Sequence, residues 1–189
     1  MCIRDRSITA AVFVPDYELS TEKARQALPR ELPYKDAVYN VSRVGLLPAA
    51  MNPMVLAQAA QQGRSGVAAA PAQDTDTCAC ADGTCESAFA DELAAAQAQS
   101  NALLFTATQD KLHQPYRGAL MPPSTELIAL FRSKGYAAAV SGAGPCVLVL
   151  HYGNAREAID QIASEQLASG HWRVLHLPIN TAGVEIERR

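Results

Sequence analysis

No stretch of this chain stays apolar for the ~18 residues that a membrane-spanning helix needs, and no N-terminal apolar core marks a secretory signal. The sequence is therefore read as having no membrane partner. An excess of basic residues is missing as well. Sixteen Lys and Arg against 19 Asp and Glu give a net charge of −3. That argues against a nucleic-acid partner, whose footprint is a basic patch or stripe. The four histidines include no pair at metal-ligand spacing. His151, His171 and His176 read as strand-end or surface residues, and only His113 sits in a string specific enough to watch. The cysteines number five, an odd count with no sign of a stapled framework, which points to a reduced, cytoplasmic protein. Cys78, Cys80 and Cys85 lie close together, but without a nearby histidine and in an acidic setting they read as part of a solvated loop. No metal ligand set is assigned.

What is present suffices for one domain. The chain has 189 residues, 49% of them hydrophobic, much of this alanine, which favours helix and buries little area per residue. The first six residues, Met-Cys-Ile-Arg-Asp-Arg, have no periodicity. Their first five match what the end of a common sequencing-library adapter encodes. Residues 1–6 are read as a non-native leader, with the domain over 7–189 and a natural N-terminal part expected upstream of Ile8.

Residues 8–14 read as a strand closed by Pro15. Ser20-Thr21 offers an N-cap to a short helix with Glu22 in its first turn. A second helical region starts near Tyr34, with Ala37, Val38, Val41, Val44, Leu47 and Leu56 as its apolar positions. Pro48 and Pro53 should split it into two pieces across 35–61. Residues 62–90 are poor in large apolar residues and read as a flexible insertion. Asp91 is expected to open a helix to about Lys111, with Leu93, Ala96, Ser100, Leu103, Leu104 and Ala107 on one face. Pro115 stops it and leaves Arg117 on a loop. Pro122-Pro123-Ser124-Thr125 starts a helix that buries Leu127, Ile128, Leu130 and Phe131 and ends at Gly135. Asn154 and Glu157 resemble a capping box for a helix over 154–168 that buries Ala158, Ile159, Ile162 and Leu167. Residues 171–178 alternate as a strand, and 184–186 read as a short last one.

Two apolar runs, 137–140 and 146–150, flank Ser141-Gly142-Ala143-Gly144-Pro145. They read as buried strands around a glycine turn. Such a turn can be a plain connection, or its N–H groups can form an anion-binding concavity. The order strand, helices, two strands, helix, strand is that of an α+β, ferredoxin-like fold, an antiparallel sheet with helices on one face. Arg25 stands four residues after Thr21, on the same helix face. A guanidinium is a planar fork that grips a carboxylate or phosphate bidentately. Arg25, Arg117 and the glycine turn thus suit a small anionic ligand.

Four strings occur in order: Ser20-Thr21-x-x-x-Arg25-x-x-Leu28-Pro29, Asp36-Ala37-Val38-Tyr39-Asn40, His113-Gln114-Pro115-Tyr116-Arg117 and Ser141-Gly142-Ala143-Gly144-Pro145. Together, with the closing Thr181-Ala182-Gly183-Val184, they resemble the C-terminal part of the homoserine kinases, in the GHMP small-molecule kinase superfamily. The resemblance implies the C-terminal domain of such a kinase, transferring the ATP γ-phosphate to the L-homoserine hydroxyl with Mg²⁺, in threonine biosynthesis. It implies that Thr21, Arg25, Arg117, Gly142 and Gly144 bind substrate, with His113 and Ser141 behind them, and it leaves a homodimer open. The family's Gly/Ser-rich ATP loop and its acidic metal ligand have no counterpart in this sequence. ATP and Mg²⁺ are therefore expected to bind mainly through an N-terminal part, no catalytic residue is assigned here, and the chain alone should be inactive. The alternatives are another GHMP kinase or a non-catalytic ferredoxin-like ligand-binding module.

Overall fold

β-branched and small apolar residues over Ile8–Pro15 form strand β1, the centre of an antiparallel sheet with β3 on one side and β4 on the other. The computed structural model describes residues 8–52 and 84–179. The expected leader, Pro53 and Leu56, Cys78 and Cys80, and the strand at 184–186 lie outside them. So do the side chains of Cys85 and Leu93.

Ala137–Val140 (β2) and Val147–Tyr152 (β3) form the expected hairpin, and Trp172–Leu177 (β4) lies along β1. The order is β2-β3-β1-β4, with every neighbour antiparallel. This is the ferredoxin-like order predicted from the element sequence.

Side chains alternate across a strand, so the register sorts the core into two faces. Ala11 pairs with Val149, which pairs with Ala138, and all three are fully buried on one face. Two helices cover it. Helix α6, Pro122–Ser133, contributes Leu127, Ile128 and Phe131, and α7, Arg156–Ile162, contributes Ile159. Phe131 meets Phe13 of β1 at 5.2 Å between ring centroids. Burying each such side chain stabilises by about 1.5–3 kcal/mol.

The two ferredoxin-like helices thus share one face, as expected, but the other face is not bare. Ala10, Leu150 and Ala137 point there against Leu104 of α4, Thr84–Ala107, and Ala50 of α3, Leu47–Ala50. Helix α4 begins seven residues before Asp91, inside the stretch read as a flexible insertion, and ends at Ala107 rather than Lys111. Alanine and glutamate need no large apolar neighbour to favour helix, and its C-terminal end is closed by Thr108, whose hydroxyl donates to the Leu104 carbonyl at 2.8 Å.

Other boundaries moved for local reasons. Helix α1, Thr21–Gln26, starts as expected, with Ser20 Oγ accepting from Lys23 N at 3.4 Å. Helix α2, Tyr34–Val44, stops at Gly45, and Pro48 starts α3 instead of breaking a helix, because the first turn needs no N–H there. Arg117 is on α5, Gln114–Arg117, not on a loop, and Pro115 opens that turn. The capping box at Asn154 is absent. Ala155 is the N-cap, and Thr9 of β1 does the tying, its Oγ1 donating to the Gly153 carbonyl at 3.0 Å and accepting from Ala155 N at 3.4 Å. The helix it opens divides at Ala163 into α7 and α8, Ser164–Ala168, and Ala158 is exposed.

Helix α2 departs most. Much of its apolar stripe stays open among the described residues: Val38, Val41 and Val44 are 49%, 73% and 60% exposed. Periodicity shows which residues share a face, not what the face meets. Among the described residues no helix is long and apolar enough to cross a membrane.

Candidate active site

The 141–145 turn is held from below. Ser141 N donates to the Cys146 carbonyl at 2.8 Å and Gly144 N to the Ser141 carbonyl at 3.2 Å, closing the hairpin. The Gly144–Pro145 peptide is cis. Ser124, fully buried on α6, donates its hydroxyl to the Pro145 carbonyl at 2.5 Å and meets the Tyr17 hydroxyl at 2.7 Å. Gly142 and Gly144 adopt φ of +64° and +91°, where side chains are strained. They differ in surroundings. A Cβ on Gly144 would fall 2.6 Å from Met121 Sδ, whereas one on Gly142 would meet nothing within 4 Å.

Two further elements converge on this turn. Gln114 Oε1 of α5 accepts from Val140 N at 3.3 Å, tying α5 to β2. Arg117 Nε donates to the Ala24 carbonyl at 3.1 Å, tying α5 to α1. Between α1, α5 and the hairpin lies a cleft of about 550 Å³. Thr21, Arg25, His113, Arg117 and Gly142, all expected from sequence, line it. Gly144 and Ser141 are not on that wall: Gly144 packs on Met121, and Ser141 holds the hairpin together.

Arg25 is exposed and Arg117 half-buried. Among the described residues, neither the Arg25 guanidinium nor the terminal nitrogens of Arg117 have a hydrogen-bond or ion-pair partner. A planar cation with free N–H groups beside a second one is the arrangement that receives a carboxylate. No three His, Cys, Asp or Glu side chains gather as metal ligands among the described residues. His171 pairs with Asp16 at 2.6 Å and His176 with Asp160 at 2.8 Å, both away from the cleft. His151 stacks on Tyr136 at 4.7 Å, and burial holds its imidazole below the ordinary value.

Sequence reasoning missed two cleft residues, Asn40 and Asp110. Asn40 stood inside a quoted string without a role. Asp110 accepts from three successive backbone N–H groups, those of Leu112, His113 and Gln114. An aspartate a few residues ahead of a proline-started turn is the signal that could have found it.

Residues 86–168 match the family model described as GHMP kinases C terminal. Homoserine kinases are among the proteins this chain is similar to. The protein of that name from Leifsonia xyli subsp. xyli is 33% identical over 97% of this chain, and the one from Clavibacter michiganensis subsp. michiganensis is 32% identical over 96%. The chain spans 42% and 43% of those two proteins, respectively. The solved homoserine kinase of Cytophaga hutchinsonii superposes with a TM-score of 0.55 over 89% of this chain and 40% of that one, at 18% identity, a likeness of fold.

Proposed function

We propose that this chain is the amino-acid-binding part of a homoserine kinase and that Arg25 and Arg117 clamp the homoserine carboxylate. The observation that carries the reading is the pair of arginines on one cleft, from α1 and α5, with Arg117 already oriented through its Nε–H to Ala24. Homoserine has a carboxylate at one end and the reacting hydroxyl at the other. Fixing the first positions the second, and phosphoryl transfer depends mainly on positioning and charge stabilisation. Thr21 and His113 line the same cleft and offer it polar groups in this reading.

GHMP kinases use ATP. The described residues do not themselves fit Mg²⁺–ATP, since no acidic ligand cluster gathers among them and the Asp110 oxygens are already bonded. ATP and Mg²⁺ are assigned to the part of the kinase outside this chain, and the chain alone is expected to transfer no phosphate. The same reading puts the work of the enzyme in the cytoplasm, on small molecules.

The test uses the full-length kinase. Arg117→Ala should raise the KM for homoserine about tenfold to a hundredfold, the size of a lost charge-assisted contact, and leave the KM for ATP nearly unchanged. It should also erase most of the preference for homoserine over 3-aminopropan-1-ol, which lacks the carboxylate. Unaltered homoserine kinetics would remove the clamp.

A further inference from the structure

We propose that Asp110 is the positioning residue of the clamp: its carboxylate holds α5, and with it Arg117, in register with α2 and the glycine hairpin. The inference rests on the carboxylate-clamp reading and concerns how that clamp is held.

Helix α5 is four residues long and its N-cap, His113, makes no side-chain cap bond. A helix that short is not stable by itself. Asp110 supplies what is missing. Its Oδ2 accepts from Gln114 N at 2.6 Å and from His113 N at 2.9 Å, and its Oδ1 from Leu112 N at 2.9 Å. These are the N–H groups of the first residue of α5, of its N-cap and of the residue before it, which have no partner inside the helix. Oδ1 also accepts from Asn40 Nδ2 of α2 at 2.5 Å, while Asn40 Oδ1 accepts from Lys111 N at 2.9 Å. The Asn40–Asp110 exchange thus ties the turn to α2 in both directions. From the first residue of α5 the Gln114 side chain reaches β2, and from its last Arg117 reaches α1.

The side chain of Asp110 is 15% exposed and both oxygens are engaged. That leaves it poorly placed to bind substrate or to take a proton. Burial pushes its carboxyl up, but the bonds from Gln114, Asn40, Leu112 and His113 outweigh this and hold it below the ordinary aspartate value. It remains an anion acceptor, and it acts on substrate only through Arg117.

The test is a pair of variants in the full-length kinase. Asp110→Ala removes all the bonds and should raise the homoserine KM roughly tenfold. Asp110→Asn keeps one cap-competent oxygen and should give a smaller rise, roughly threefold. In both, kcat and the ATP KM should stay within about twofold. A residue that only stabilised the fold would lower thermal stability or yield and leave the homoserine KM of the folded enzyme unchanged, and that result would overturn the proposal. If Asp110→Ala does not fold, Asp110→Asn carries the same test, and an unchanged homoserine KM there also overturns it. Should Arg117→Ala raise the homoserine KM while neither Asp110 variant does, this inference falls and the clamp stands. Should none of the three move it, both fall.

Discussion

Helices α6 and α5 both reach the hairpin, through Ser124 to Pro145 and Gln114 to Val140, and are held by different forces. Helix α6 has twelve residues and presents three buried apolar side chains to the sheet. It needs no side-chain cap and has none. Helix α5 has four residues, none of them buried, and is held by hydrogen bonds from Asp110, Gln114 and Arg117. Apolar packing is non-directional and scales with area, so α6 can absorb small shifts. Hydrogen bonds weaken steeply with angle, so α5 is held in one orientation or not at all. The scaffold side supplies stability, and the cleft side supplies direction.

Three perturbations separate these regimes. The largest effect is expected for Phe131→Ala, which leaves a cavity against Phe13. Urea unfolding of the chain should show a loss of about 3–5 kcal/mol. A loss near zero would mean that α6 is not held by that face. Gly144→Ala comes next, because it acts where the two regimes meet. Its backbone sits at positive φ and the new methyl would press on Met121 Sδ. A loss of about 1–3 kcal/mol should come with displacement of the hairpin wall and a higher homoserine KM in the full-length kinase.

The smallest effect is local and set by pH. The Asp110 carboxyl is held below its ordinary value, so the stability it contributes is complete above the unfolded value and is lost as pH falls through the folded one. The titratable group facing it is His113 on its own turn, at 3.3 Å, while the neighbouring Lys111 pairs instead with Asp36 of α2 at 3.8 Å. Hydrogen exchange should show the Leu112, His113 and Gln114 amides losing protection on acidification, while the Phe131 amide stays protected. Simultaneous loss at both places would erase the distinction between the two helices.

The same contrast explains what could be read in advance. The sheet order, the hairpin and the buried face of α6 follow from apolar runs and 3.6-residue spacing, signals that are local in sequence. The arginines were legible because their residue types stand in ordered strings. Asp110 was not, because its partners are backbone N–H groups and a side chain 70 positions away. Thr9 took over the job expected of Asn154 from 144 positions away. The face of α2 could be drawn from the sequence, but not what it meets.

The bond from Arg117 to Ala24 spans 93 residues of chain. No short segment can hold the two arginines at their working distance, and loop closure has to be completed before the first bond between them forms. The proposed clamp is thus a product of tertiary folding with no local precursor. In a chain made from its N-terminal side, Arg25 waits unpartnered until synthesis has passed α4 and α5. If the clamp is as proposed, a partly made or partly unfolded chain has the residues for recognition but not the recognition itself, and affinity for the amino acid becomes a property of the last contacts to close.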